Sequence, residues 1–422
     1  MSCRVEKSEL SGHIICPPNK SYSHRAIFLA SLAGDNSKIN NILFSADTIA
    51  TIEACRNFGA EIEESSTSII VKKPIKMDRI VPEIDAKNSG TTIRIAAGIA
   101  SLFTNEITLT GDSSLQKRPM QPLLDAFETM GATCTSTNGR PPIKITGKIL
   151  GGEVTIPGNL SSQFISSLLI CAPLTEKGIS LIIKENLVSK PYLDATISTM
   201  RNFGVTVQTF IPYKKYHISP QVYKPTIFTV PIDFSSLAIL LSAAVLIGKN
   251  VVIHGNIGNL PQGDEVFIDI LEQLGVKVSV EEEQITVQSP EKLNGGRFDL
   301  SNSPDLLPPL SILALKTRTP IEIINVKHAR LKETDRIMIL ARELVKIGIK
   351  TNEKEDGLIL ESSNEFRGAL LDSENDHRLF MVFCIAGMYV GNCTITHPES
   401  VAVSYPNFIM EMDRLGAKII TS

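Results

Sequence analysis

The feature that most limits how this chain can fold is a glycine that keeps returning. Six amphipathic stretches each stop at a glycine and run on into a short strand pattern: RNFGAEIE, ETMGATCT, RNFGVTVQ, EQLGVKVS, VKIGIKTN and DRLGAKII. The glycines are Gly59, Gly131, Gly204, Gly275, Gly348 and Gly416, spaced 72, 73, 71, 73 and 68 residues apart. A glycine just past a helix takes the left-handed backbone that closes it, at no steric cost. Such stops occur in any helical protein. A nearly fixed period over six of them marks an internal repeat.

The rest of each period aligns by eye. A short strand pattern comes first: SGHIICPP, RIVPEIDA, GGEVTIPG, IFTVPIDF, GRFDLSNS and GALLDSEN. A polar loop leads into a helix of small apolar residues, as in AIFLASLAG and AILLSAAVLIG, and a second strand precedes the long amphipathic helix. A hairpin such as EIEESSTSIIVKK or KVSVEEEQITVQ closes most units. The unit is βαβαββ, and the chain is an α/β protein of six such units. One unit cannot bury both faces of its sheet, so copies must pack together. The small-residue helices belong inside, with strands and amphipathic helices outside.

Composition narrows the function. Hydrophobic residues make up 43% of the 422 and charged residues 21%, enough for a large core and unlike a disordered chain. With 42 basic and 45 acidic residues, the net charge of −3 offers no general surface for nucleic acid or an anionic membrane. The seven cysteines are scattered singly, with no C-x-x-C and no metal spacing to histidine. They read as free thiols in a reducing compartment, and no metal or cofactor is expected. MSCRVEKSEL has no targeting character, and the longest apolar stretch, 237–247, is too short to span a bilayer. The expectation is a cytoplasmic protein, with monomer as the default.

The repeat places chemistry in its loops. Each unit has two strand-to-helix loops, and a helix N-terminus carries unpaired N–H groups and partial positive charge. If units pack with common polarity, several such ends converge and bind anions. The first loops hold Lys20, Ser21 and Arg25 in PPNKSYSHR, Asn88, Gly90, Thr91 and Arg94 in KNSGTTIR, and Ser161, Ser162 and Gln163 in SSQF. Asp305 ends SNSPD, and Asp376, His377 and Arg378 lie in ENDHR. The second loops add Arg118 in LQKRP, Ser189, Lys190 and Tyr192 in LVSKPY, and Lys332, Glu333, Asp335 and Arg336 in ARLKETDR. Each motif alone has a plain structural reading: a serine cap, a turn, a charged first helical turn. Their recurrence at equivalent loops argues for more.

Taken together, NKSYSHR, NSGTTIR, QKRP, SSQF, VSKPYLD, KETDR and NDHR resemble the 5-enolpyruvylshikimate-3-phosphate synthase family of enolpyruvyl transferases, over almost the whole chain. The resemblance implies two domains of three units each with a cleft between them, at 18–228 and at 229–422 plus the N-terminal strand 1–17. It implies transfer of the enolpyruvyl group of phosphoenolpyruvate to the 5-hydroxyl of shikimate 3-phosphate, with release of phosphate. Matching positions for shikimate 3-phosphate are Lys20, Ser21, Arg25, Ser161, Ser162, Gln163, Ser189, Asp305 and Lys332. For phosphoenolpyruvate they are Lys20, Gly90, Arg118, Gln163, Arg336 and Arg378. Asp305 is the candidate base at the 5-hydroxyl, Glu333 the candidate for proton traffic at the methylene carbon, and Lys20 a second acid.

Three positions depart from the family pattern. Val403 stands where the family has a lysine, a lost cation for which Lys327 is a candidate replacement. His328 stands where many members have asparagine, and Ile95 where proline is usual. Two alternatives remain beside the main reading. One is the sister enolpyruvyl transferase acting on UDP-N-acetylglucosamine, whose loop cysteine has no counterpart in 111–118. The other is a non-catalytic anion-binding relative, for which retention of Lys20, Asp305 and Glu333 would be needless.

Overall fold

The computed structural model describes residues 1–81, 83–281, 283–363 and 365–421. The chain divides into two compact units. One comprises Pro18–Pro231 with Leu260–Gln262, the other Met1–Pro17, Ile232–Asn259 and Gly263–Ser422. Pro82 in the RIVPEIDA pattern and Glu282 in KVSVEEEQITVQ lie outside the described residues.

The Pro18–Pro231 unit holds three four-stranded sheets of one design. In the clearest, Gly152–Pro157 lies parallel to Ile179–Lys184, which runs antiparallel to Lys215–Ile218, itself paired with Gln208–Ile211. The parallel pair needs a crossover, and the helix Ser162–Cys171 supplies it. Three helices of small apolar residues, Lys20–Leu32, Gly90–Ala100 and Ser162–Cys171, are buried almost throughout. Small side chains let them approach closely: a Cβ on Gly98 would stand 2.5 Å from Ser167 Oγ. The amphipathic helices Ala46–Asn57, Gln121–Thr129 and Lys190–Asn202 bury one face each.

The other unit repeats the design with buried helices Phe234–Ile247, Leu307–Leu313 and His377–Val390. Its amphipathic helices are Val266–Gln273, Arg336–Leu344 and Phe408–Arg414. All six stop glycines have positive φ, from +81° at Gly204 to +107° at Gly131, as the repeat demands.

Strand pairing departs from the linear repeat in two ways. The SGHIICPP pattern, read as the opening strand of the first unit, forms Leu10–Ile15 and pairs parallel with Gly248–His254 of the fourth. The IFTVPIDF pattern, read as the opening strand of the fourth, forms Ile227–Thr229 and pairs parallel with Ser37–Asn40 of the first. The two units of the repeat exchange their first strands. In the sixth sheet the N-terminal strand Ser2–Glu6 sits between Cys393–Thr396 and Lys418–Thr421, antiparallel to both. It takes the place that a hairpin's last strand fills elsewhere.

Candidate active site

The starts of the buried helices carry the chemistry, and each unit builds its own set. In the Pro18–Pro231 unit the caps are neutral. Asn19, Ser89 and Ser161 accept from the backbone N–H groups of Tyr22, Thr92 and Gln163, respectively. The partial positive charge of these helix ends is therefore left for a ligand.

Cations surround those ends. Lys20 opens its helix, and its Nζ lies 3.1 Å from Asp47 Oδ2. Arg25, one turn on, is fully buried. It donates from Nε to Thr196 Oγ1 (2.8 Å), from Nη1 to the Ser21 carbonyl (2.9 Å) and from Nη2 to the Tyr192 carbonyl (3.0 Å). None of these partners is a carboxylate, and burial pushes the pKa of Arg25 down to about 10. A buried guanidinium held only by neutral oxygens favours an anionic partner.

Gly90 begins the second buried helix under two more arginines. A Cβ there would lie 2.9 Å from Arg118 Nη1 and 3.1 Å from Arg94 Nη1, with Gln163 Oε1 at 3.6 Å. Arg94 donates to Gln163 Oε1 and lies over the Phe164 ring, 5.2 Å from its centroid. Gln163 Nε2 donates to Thr91 Oγ1 at 2.9 Å, and Arg118 Nη2 to Asn88 Oδ1 at 3.0 Å. Gly90, Arg118 and Gln163, expected to serve one substrate, are thus brought together, with Arg94 as a fourth member. Ser162 is buried at the first turn of its helix, while Ser21 is half-buried. Ser189 is buried in the left-handed region at φ 55°, unusual for a residue with a side chain, and its hydroxyl makes no capping bond.

The other unit reverses the sign. Asp233 and Asp376 cap their helices, each accepting two backbone N–H groups, and Asp305 lies in the turn Pro304–Leu306 that opens the third. Arg336 is the hub. Its Nη1 meets Asp305 Oδ1, its Nη2 meets Glu333 Oε2, and its Nε meets Asp376 Oδ2, each at 2.7 Å. Burial works against this guanidinium's charge. Asp376, Glu333 and Asp305 outweigh it and hold its pKa above the usual range. Asp305 also has Arg378 Nη2 at 3.4 Å and Lys332 Nζ at 3.6 Å. Arg378 Nη2 donates to Ser235 Oγ at 2.8 Å. Glu333, Lys332, Asp305, Arg336 and Arg378 therefore form one cluster, and two of its carboxylates share one guanidinium.

Val403 is half-buried in the turn Pro398–Val403. Lys327, considered as its replacement, is exposed and engaged by Glu355, so its charge is already met elsewhere. His328 is half-buried; burial, then Lys332, push its pKa down to about 4 and leave the ring neutral. His377 is buried at the first position of its helix.

The sequence reading named Arg94 and Asp376 among the loop residues without assigning them to a substrate, and did not single out Asp233, Asp47 or Asp264. The last two were findable. Each stands about a dozen residues ahead of a stop glycine, Gly59 and Gly275, as Arg118 does before Gly131. The second loops of the first and fourth units are where the period puts them. Asp264 is buried in the turn Gly263–Glu265. Burial, followed by the charge of Asp305, raises its pKa to about 8.

Among the described residues, no helix is long and apolar enough to cross a membrane. One unit gathers cations at neutrally capped helix ends, and the other interleaves carboxylates with cations. The family model of EPSP synthase (3-phosphoshikimate 1-carboxyvinyltransferase) matches residues 5–412. A protein of Nitrosopumilus maritimus (strain SCM1) named 3-phosphoshikimate 1-carboxyvinyltransferase is 75% identical over 419 residues, 99% of each chain. One of the same name from Methanosphaera stadtmanae is 40% identical over 99% of this chain and 100% of its own. A solved EPSP synthase of Acinetobacter baumannii superposes with a TM-score of 0.82 at 26% identity, over 100% of both chains. The chain belongs to the EPSP synthase family, the 3-phosphoshikimate 1-carboxyvinyltransferases.

Proposed function

We propose that this protein transfers the enolpyruvyl group of phosphoenolpyruvate to the 5-hydroxyl of shikimate 3-phosphate and releases phosphate, a step toward chorismate and the aromatic amino acids. The observation that carries the reading is the Arg336 hub, which holds Asp305 and Glu333 on one guanidinium between Lys332 and Arg378. Anion binding alone has no use for two carboxylates placed among cations. Proton transfer during addition and elimination does.

In this mechanism Asp305 accepts the proton of the 5-hydroxyl as its oxygen attacks the central carbon of phosphoenolpyruvate. The methylene carbon takes a proton, and Glu333 handles that traffic, with Lys20 as the second acid. The product is a tetrahedral adduct bearing the phosphate. Loss of a proton from the new methyl group restores the double bond as phosphate departs. Each acid–base group supplies about 100- to 10,000-fold in rate. The guanidinium groups and helix ends stabilise the charge of the adduct.

Shikimate 3-phosphate is assigned to Lys20, Ser21, Arg25, Ser161, Ser162, Gln163, Ser189, Asp305 and Lys332. Phosphoenolpyruvate is assigned to Lys20, Gly90, Arg118, Gln163, Arg336 and Arg378, with Arg94 added on geometry. Their phosphates and carboxylates suit arginine, which binds either with two parallel hydrogen bonds. The two units are taken as three-repeat domains, and the protein as a cytoplasmic monomer.

A phosphate-release assay tests the reading. Turnover is expected with phosphoenolpyruvate and shikimate 3-phosphate together and not with either alone. Turnover with UDP-N-acetylglucosamine in place of shikimate 3-phosphate, or with neither acceptor, would overturn it.

A further inference from the structure

We propose that Asp264 is a positioning residue for this reaction: buried beside the Asp305 turn, its carboxyl carries a proton, so that Asp305 remains the charged carboxylate of the pair. This rests on the reaction proposed above and extends it to a residue to which neither substrate has been assigned.

The geometry begins with the backbone. Ser303 Oγ donates to the Gly263 carbonyl at 2.8 Å, which ties the residue before Asp264 to the loop that presents Asp305. Asp264 itself is 7% exposed, and its Oδ1 is buried with no hydrogen-bond partner among the described residues. A buried carboxylate oxygen left without a donor is costly, and a carboxylic acid lowers that cost by losing its charge.

The neighbouring charges point the same way. Four charged groups act on Asp264: Asp305, Arg378, Asp233 at the cap of the helix Phe234–Ile247, and Lys332. Glu265, next in the same turn, and Asp269 and Glu272 on the helix Val266–Gln273 that follows are all exposed. The two cations favour ionisation, but both are engaged by Asp305, with Arg378 at 3.4 Å and Lys332 at 3.6 Å. Two anions and deep burial stand against them, and the resulting pKa lies near 8. When neutral, Asp264 can donate through its O–H, and it leaves Arg378 and Lys332 to Asp305 and the substrates. When ionised, it would compete for those cations and repel two anionic ligands.

The kinetic test is the pH profile of kcat/KM for phosphoenolpyruvate from about pH 6 to about pH 9.5. In the wild type we expect an alkaline limb with its midpoint near pH 8, falling about tenfold per pH unit beyond it. Substrate phosphates, with a last pKa of about 6, titrate well below that limb. In Asp264→Asn, a neutral isostere, the limb should vanish. A wild-type profile with no such limb, or a limb that survives in Asp264→Asn, would overturn the proposal. A second measurement needs neither activity nor a variant: carbon NMR of wild-type protein labelled at aspartate carboxyls. One carboxyl carbon should titrate near pH 8, and its absence would also overturn the proposal. If phosphate release fails with both substrates while that carbon titrates, the assigned reaction is wrong and the protonated Asp264 stands.

Discussion

The two units begin their buried helices in opposite ways. In the Pro18–Pro231 unit Asn19, Ser89 and Ser161 do the capping, and Lys20, Arg25, Arg94 and Arg118 gather around the helix ends. In the other unit Asp233 and Asp376 cap, Asp305 opens the remaining helix, and Arg336 and Arg378 are gripped by carboxylates. The same repeat has thus been used twice, with neutral caps in one unit and acidic caps in the other. A neutral cap satisfies the backbone and leaves the helix end positive. A carboxylate cap satisfies it and neutralises that end. The first arrangement leaves positive charge that suits anions. The second sets carboxylates against cations, which suits the proton transfers proposed above.

The largest effect should come from disarming the acid–base unit. Asp305→Asn should lower kcat for phosphate release by about 100- to 10,000-fold, the contribution of one general base. A loss under tenfold would remove Asp305 from that role. The sharpest test of the contrast is to give the cationic unit an acidic cap. Ser161→Asp keeps the capping bond and so the helix. It should nevertheless raise KM for shikimate 3-phosphate on the order of a hundredfold, because apposed like charges cost several kcal/mol. An unchanged KM with an unchanged melting temperature would show that this helix end faces no anion. Gly90→Ala adds a methyl 2.9 Å from Arg118 Nη1. Alanine also favours the helix more than glycine does. We therefore expect stability to hold while KM for phosphoenolpyruvate rises about tenfold, near 1.4 kcal/mol. Equal loss of stability and affinity would mean the residue matters only for packing. Smallest is Val403→Lys, which should lower KM for phosphoenolpyruvate roughly two- to fivefold, the range of a solvent-screened ion pair. A raised KM would show that the valine replaces nothing.

The repeat was legible because it is local: an amphipathic stretch and a stop glycine are read within a few residues, and all six glycines adopt the conformation they advertise. The strand exchange was not. Alternating apolar residues say which face of a strand is buried, but a pattern such as SGHIICPP carries no label for its partner. Only packing decides that it joins Gly248–His254. The same limit governs the site. Lys20, Gly90, Ser161 and Arg378 could be found from their places at helix starts, and Asp47 and Asp264 from the period. That Arg336 is held by three carboxylates could not be found, because Asp305 and Asp376 come from separate stretches of chain to join the local Glu333–Arg336 pair. Arg94 was named among the loop residues but matched to no substrate, and only its contact with Gln163, distant in sequence, joins it to the Gly90 group.

The placement of Ser2–Glu6 between Cys393–Thr396 and Lys418–Thr421 bears on how the protein is made. This strand is made long before the two strands it pairs with, since the whole Pro18–Pro231 stretch lies between them in the chain. Contacts of such long sequence separation form slowly. Until they form, two unsatisfied strand edges stand open to other chains. Newly made protein is therefore exposed to aggregation through this edge in the interval between the emergence of Ser2–Glu6 and that of Lys418–Thr421.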